Sequence, residues 1–245
     1  MPGVLRSQWR SAMLESTAPG SARARGNPVK TSWIDYLWSG LAISLLLTLS
    51  GGGVWFINPW LRRFFGDYHV LLDLAAALLF YGVLSAIFVR LMLRWFPIAP
   101  GVYRMDTSAF VKWKLITVVY RLGQGALAPL TPIFLKPVVE TLYGARMGAD
   151  VALGGVIDDP YRVCVGDGAV LGHGSLVSGN FIAGGVITCG PVNIGAGATV
   201  GANAVVFPGV DIGPGATLVG GSYVMPGTKI PPGETWRGNP ARKWL

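Results

Sequence analysis

The sequence predicts two transmembrane α-helices followed by a parallel β-helix of hexapeptide repeats, about five coils long. Three observations carry this. Residues 36–61 contain no charged side chain, and a second apolar run follows closely. From Met147 onward an aliphatic residue recurs at every sixth position. The formal charge of +8 is also uneven: residues 1–150 hold 15 Lys+Arg against 7 Asp+Glu, residues 151–245 hold 5 against 5, and the neutral part carries 21 of the 35 glycines.

Composition excludes several classes. Charged residues make up 13% of the chain, against about 25% in ordinary soluble domains. With nine tryptophans and a mean hydropathy of +0.49, a simple soluble domain does not fit. A nucleic-acid binder does not fit either, because the Lys and Arg flank apolar runs instead of forming a stripe with interleaved aromatics. Cys164 and Cys189 cannot build a disulfide framework and have no metal-ligand spacing; both read as small apolar core residues.

Residues 1–32 form a basic tail rich in Ser, Gly and Arg, expected to be disordered and to help set topology; an organellar transit peptide is the alternative. Residues 33–96 read as a two-span transmembrane hairpin. The first run, LWSGLAISLLLTLSGGGVWFINPW, exceeds the roughly 20 apolar residues that a bilayer crossing needs. Gly51, Gly52 and Gly53 either let a neighbouring helix approach or break the helix. The second run is uncharged from Leu74 to Val89, with Asp73 and Arg90 near its ends, where side chains reach the interface. Trp33, Trp38, Trp55, Trp60 and Trp95 fall near the span ends, as interfacial belts require, and His69 reads as interfacial. Arg6, Arg10, Arg23, Arg25 and Lys30 precede the first span, and Arg90, Arg94, Arg104, Lys112 and Lys114 close or follow the second, while the intervening loop has Arg62 and Arg63. The bias puts both termini, and hence the β-helix, in the cytoplasm of an integral membrane protein.

Residues 97–144 read as interfacial and connector helices. SAFVKWKLITVVYRL, from Ser108 to Leu122, suits a helix lying on the cytoplasmic membrane face; its three internal charges disfavour a third span. Beyond it, Pro137 opens a short helix that Gly144 closes.

Residues 145–245 form the repeat domain. The in-phase positions are Met147, Leu153, Asp159, Val165, Leu171 and Val177, then, after one shortened step, Ile182, Thr188, Ile194, Val200, Val206, Ile212, Leu218, Val224, Ile230 and Trp236; fourteen of the sixteen are apolar. Each hexad supplies one short strand and a corner. The aliphatic points into a continuous core and glycine serves the tight corners. Three hexads per coil give about five coils, a prism of roughly 25 Å at the sheet spacing of about 4.8 Å.

The run IGAGATVGANAVVFPGVDIGPGATLVGGSYVMPGTKIPPGETWRGNPARKW resembles the C-terminal half of the hexapeptide-repeat acyltransferases, with a similar PPG, GNPA and basic ending. The resemblance covers residues 145–245 and implies a left-handed β-helix and a homotrimer that takes acetyl-CoA or another acyl-CoA at clefts between subunits, without a metal. More loosely, Phe96, YRMDTSAFVKWKL, LYGARMGADV and IDDPYRVCVGDGAVLG, within residues 70–245, are similar to the membrane-anchored C-terminal region of poly-lysine-synthetase-like peptide synthetases. The chain has no carrier or adenylation domain, so peptide synthesis is not inferred.

Acyl transfer from CoA needs a general base for the acceptor hydroxyl or amine and donors for the thioester oxyanion. In the family the base is a histidine on a loop that interrupts the repeat, and the period here slips by one residue between Val177 and Ile182. By the family's pattern the histidine belongs near Asn180. Asn180 cannot act as a base, though it can position substrate or donate to an oxyanion. The one histidine of this half, His173, sits in a corner of LGHGSL and is either the base or a solvated or trimer-interface residue. Lys229, Arg237, Arg242 and Lys243 cluster where the family holds the phosphate-bearing end of the cofactor, a role Lys and Arg suit, or else solvate the end of the helix. Gly209, Gly221 and Gly238 could admit a pantetheine arm. A zinc carbonic anhydrase of this fold needs three histidines, which this half lacks, and a nucleotidyltransferase needs a further phosphate-cradling domain.

Two readings follow. One is a membrane-anchored acyl-CoA-dependent O- or N-acyltransferase acting on a sugar, lipid-linked sugar or amino acceptor. The other is a catalytically silent trimeric β-helix with a structural or assembly role in a larger membrane complex. The lipid bilayer is the expected partner in both.

Overall fold

A computed structural model describes residues 33–244; the basic tail expected over residues 1–32 lies outside the described residues. The described residues divide into two compact units, residues 33–97 with 111–135, and residues 98–110 with 136–244.

In the helical unit, α1 (Trp33–Phe65) and α2 (His69–Trp95) are joined by a 3-10 turn, Gly66–Tyr68, and fold back on each other. The reversal happens at Gly66, whose φ of +55° belongs to the left-handed region that L side chains avoid. Asn58 Nδ2 donates to Asp73 Oδ2 at 2.6 Å across the turn. The three glycines do not break α1, which runs through them; Gly53 lies against the Phe80 ring, and Gly51 and Gly52 face open space.

Two separate spans were expected from the sequence. By length and composition the described residues contain one candidate span, the continuous helical stretch Trp33–Trp95. The reason is that only three residues of 3-10 turn separate the two arms. Most of the large apolar side chains of α1 are exposed, Trp55 to 80%.

The sequence SAFVKWKLITVVYRL forms α3 (Ser108–Leu127). Its Ile116, Val119 and Tyr120 are buried, so a broad side of this helix is covered by protein. Lys114 pairs with Asp35 of α1, Lys112 lies 5.4 Å from the Phe96 ring centroid, and a Cβ at Gly82 of α2 would collide with Leu127. These contacts run α3 antiparallel to α2, as a third helix of the unit.

The other unit is a parallel β-solenoid of left-handed type with about five turns. After α4 (Lys136–Leu142) and Gly144 at φ +103°, three sheets rise together. Sheet B stacks β2 (Arg146–Met147), β5 (Val163–Val165), β10 (Val192–Ile194), β13 (Asp211–Ile212) and β16 (Lys229–Ile230). Sheet C stacks β3 (Ala152–Leu153), β6 (Val170–Leu171), β11 (Thr199–Val200), β14 (Thr217–Leu218) and β17 (Thr235–Gly238), closed by the antiparallel β18 (Ala241–Lys243). Sheet D stacks β4 (Val156–Asp158), β7 (Leu176–Ser178), β12 (Val205–Val206) and β15 (Tyr223–Val224). The inward aliphatics form one core, with Val177, Val200, Val206, Leu218 and Val224 at zero exposure.

Three of the sixteen expected in-phase positions are off the wall. Ile157, not Asp159, pairs with Val177, so the first turn has a short corner before β4 and a long one after it. Ile182 and Thr188 belong to an excursion: after β7 the chain leaves the solenoid as a hairpin, β8 (Asn180–Ala183) and β9 (Val186–Cys189), and rejoins it at β10. Val177 and Ile194 are the consecutive wall positions, seventeen residues apart instead of six. The excess of eleven is one short of two hexads, which is why it reads as a one-residue slip in the periodicity.

Candidate functional site

The hairpin is made by its sequence. Gly184 and Gly185, at φ +57° and +80°, form the two-residue turn that matches strand twist. On its outer edge β9 takes up β1 (Gly101–Arg104) as an antiparallel third strand, Gly101 opposite Cys189. Phe181 packs edge-on against Phe207 at 4.8 Å, and Phe207 against Tyr223 at 4.8 Å, so aromatic contacts tie the hairpin to the later turns.

At the root of the hairpin lies a buried polar cluster. Asp159 has zero exposure and a left-handed backbone, φ +54°, and its Oδ2 accepts a 3.0 Å hydrogen bond from Asn180 Nδ2. Ser178 Oγ donates to the Asn180 carbonyl at 2.8 Å, which fixes the strand start. Gly179 is required there, since a Cβ would come within about 3.0 Å of Arg162 and Asp159 side-chain carbons. Arg162 Nη2 donates to the Ile98 carbonyl at 2.9 Å, and its guanidinium lies 5.3 Å from the Tyr161 ring centroid. Burial and the Asp159 charge hold the Tyr161 phenol well above its usual pKa, against the opposing pull of Arg162. Burial pushes the Cys189 thiol up to about 11. Both groups are therefore neutral near pH 7.

Next to this cluster, on the outer side of sheet B, is a concavity of about 280 Å³ lined by Pro100, Arg146, Tyr161, Arg162, Val163, Cys164, Pro191 and Asn193. The parallel register places Arg146, Cys164, Asn193, Asp211 and Lys229 in one outward row, one residue per turn. Asn193 Nδ2 donates to Asp211 Oδ1 at 2.7 Å and Lys229 Nζ lies 2.8 Å from Asp211 Oδ2. Cys189 is a core residue as expected, but Cys164 is half-buried on this outer row, because its neighbours Val163 and Val165 take the inward positions.

The expected site residues fall on different sheets and corners of the solenoid. His173 is exposed in the corner between β6 and β7, whereas Asn180 follows β7 at the next corner. The His173 ring has no hydrogen-bond partner among the described residues, so none of them orients it as triad-like bases are oriented. Lys229 is on sheet B, and Arg237, Arg242 and Lys243 are on sheet C, where Arg237 and Arg242 are register partners. Arg237 stacks over the Trp244 ring at 4.2 Å, and Lys243 Nζ pairs with Glu234 Oε1 at 2.7 Å. Gly238 N donates to Ser222 Oγ at 3.2 Å, next to Gly221 in chain, while Gly209 lies at a different corner. The Asp159–Arg162 cluster escaped the sequence reading, although an acidic residue at a supposed core position was its signal. Among the described residues, no group of three or more His, Cys, Asp or Glu side chains is placed to hold a metal ion.

No protein-family model matches the sequence, and no curated protein matches it. Similar solved structures include a hexapeptide-repeat acetyltransferase from Vibrio cholerae, 22% identical over 42% of this chain and 62% of that one, with a TM-score of 0.38. A variant of perosamine N-acetyltransferase from Caulobacter crescentus, solved with CoA and GDP-perosamine, is 22% identical over 42% of this chain and 51% of that one, with a TM-score of 0.32. A maltose O-acetyltransferase from Clostridium difficile is 18% identical over 66% of this chain and 86% of that one, with a TM-score of 0.35. The chain spans about three fifths of the length of the first of these.

Proposed function

We propose that this chain is a membrane-anchored, homotrimeric acyltransferase that moves an acyl group from acetyl-CoA or another acyl-CoA to a hydroxyl or amine of a sugar, lipid-linked sugar or amino acceptor. The observation that carries the reading is the five-turn solenoid broken once by a hairpin, in a segment whose sequence resembles the hexapeptide-repeat acyltransferases. The helical hairpin serves as the anchor through its one apolar stretch, Trp33–Trp95, with the solenoid in the cytoplasm where acyl-CoA is available. In this reading His173 takes the acceptor proton, and its orienting group comes from a neighbouring subunit. Asn180 positions substrate, and Lys229, Arg237, Arg242 and Lys243, with Gly209, Gly221 and Gly238, receive the cofactor.

A second reading is a catalytically silent β-helix that assembles a membrane complex. It is favoured by the Asn180 side chain, which is bonded to Asp159 at the family's histidine position.

Release of free CoA from acetyl-CoA, measured over acceptor panels for the purified full chain and for His173→Ala, separates the two. Turnover by the wild type with loss in the variant supports the enzyme and the base; turnover retained in the variant removes His173 from the mechanism. Absence of both turnover and calorimetric CoA binding leaves the assembly reading. A monodisperse monomer by mass in detergent would remove the intersubunit cleft.

A further inference from the structure

Between Arg121 and Lys136 the chain carries fourteen residues, 122–135, without a charged side chain. A bilayer crossing takes about 20 apolar residues, so this run is too short to cross and suits an excursion that returns. Its first part is the end of α3, and the rest contains two 3-10 turns, Ala128–Leu130 and Ile133–Leu135. Its depth is set inside the helical unit, where Leu127, itself buried, packs onto Gly82 of α2. Gly82 stands nine residues after Asp73 and eight before Arg90, about 12–14 Å along the axis from each charge. The end of α3 is therefore level with the middle of the uncharged run of α2. Beyond it Leu130, Ile133, Phe134 and Leu135 are all exposed, Phe134 to 73%.

The backbone of these turns suits a medium without water. Thr131 N–H donates to the Ala128 carbonyl at 3.2 Å and Leu135 N–H to the Pro132 carbonyl at 2.9 Å, while Thr131 Oγ1 donates to the Leu127 carbonyl at 2.7 Å. Pro129 and Pro132 have no N–H to satisfy. Lipid demands such local pairing of any backbone it surrounds. Both ends of residues 111–135 join the solenoid unit, so a segment that enters a bilayer here leaves it on the side of entry. The eight residues from Ala128 to Leu135 reach at most about 26 Å, more than the depth they have to climb.

We propose that residues 122–135 form a re-entrant segment whose exposed Leu130, Ile133, Phe134 and Leu135 contact lipid acyl chains in the leaflet on the Arg90 side. Arg121 and Lys136 bracket it, where cations meet headgroup phosphates. The proposal rests on the reading that the apolar stretch Trp33–Trp95 is held in a bilayer, and it adds a second membrane attachment directly before α4.

The test uses the full chain with Cys164→Ala in vesicles of phosphatidylcholine and phosphatidylglycerol. One nitroxide is placed at Phe134→Cys, Ile133→Cys, Leu79→Cys or Ala196→Cys, and its collisions with oxygen, which concentrates in lipid, are compared with those of a water-soluble nickel chelate. Position 79, exposed within the uncharged run of α2, reports the anchor, and position 196, at an exposed corner of the solenoid, reports water. Phe134 and Ile133 are exposed, so neither replacement empties a packed site, and Cys189 at zero exposure stays unlabelled while the fold is closed. Should Cys189 label in one of these two variants, the other decides. Labels at 133 and 134 are expected to match position 79, with oxygen collisions several-fold above nickel collisions, and position 196 to show the reverse. A lipid signature at 79 with nickel access at 133 and 134 overturns the re-entrant segment and leaves the anchor standing. Exclusion of both reagents from 133 and 134 also overturns it, since protein, from the solenoid or a second copy, then covers the face. Nickel access at 79 refutes the anchor itself, and the proposal with it.

Discussion

Asn180 and Asp159 are joined by a 3.0 Å hydrogen bond from the amide of one to the buried carboxylate of the other, across 21 residues of chain. It closes the base of the hairpin onto the first solenoid turn. Asn180→Ala removes one donor from a carboxylate with zero exposure, which is expected to cost about 1–3 kcal/mol. Asn180→Asp is expected to cost more at pH 8 than at pH 5, because two adjacent carboxylates cannot both ionise and the folded state must hold a proton that the unfolded chain releases. Thermal midpoints of the three proteins at both pH values check this; an N180D midpoint equal to the wild type at pH 8 refutes the pairing.

Glycines in one corner differ in what they are for. A Cβ at Gly166 would sit 2.5 Å from Ala196 N and 2.9 Å from its Cα on the next turn, whereas Gly168 has φ +64° and open space around it. Gly166→Ala therefore forces turns apart, and Gly168→Ala meets only backbone strain, about 1–2 kcal/mol. The first variant is expected to lose clearly more stability in denaturant titration. Equal losses would mean that the turns can shift to admit a methyl group.

The solenoid was legible in the sequence because its period repeats, and repetition averages out local exceptions. Leu171, Val200, Leu218 and Val224 all stand on the wall where counting by six placed them. The exceptions were illegible for the same reason. Counting modulo six cannot tell an insertion of eleven from a loss of one, so Ile182 and Thr188 looked like wall residues although they belong to β8 and β9. Asp159 and Arg162 were missed because their pairing with residues of the hairpin and of the segment before β1 is long-range. Cys164 and Cys189 could not be separated by composition; strand phase alone turns one outward.

Alkaline pH is expected to weaken the hairpin root. The Cys189 thiol, at zero exposure, is raised from 9.0 to about 11. An acid whose folded pKa exceeds its unfolded one stabilises the fold below the unfolded value. That stabilisation is lost as pH rises from about 9 to about 11, because the unfolded chain releases the proton first. The loss is about 3 kcal/mol for two pKa units. Tyr161, also raised, adds to it in the same direction. Cys189→Ala is expected to lower stability at pH 7 through lost packing but to flatten its fall between pH 9 and 11, as read by unfolding midpoints. A fall as steep as in the wild type would assign the alkaline transition to other groups.

The hairpin is an insertion in a wall that is continuous without it. Deleting residues 179–189 leaves Ser178 followed by Gly190 and restores a six-residue step from Val177 to Ile194. The ladders β7 with β12 and β5 with β10 do not use the hairpin backbone. The deleted chain is therefore expected to keep its β circular dichroism and a cooperative melt. Its midpoint should be lower, because the buried side chains Ile187 and Cys189 are removed with the hairpin and Phe207 loses its Phe181 contact. Any CoA release that the full chain shows should vanish, since the hairpin is the one departure from a plain wall between Val177 and Ile194. Loss of the cooperative melt would show instead that the hairpin is part of the folding core, with β1 held by β9 as its outer strand.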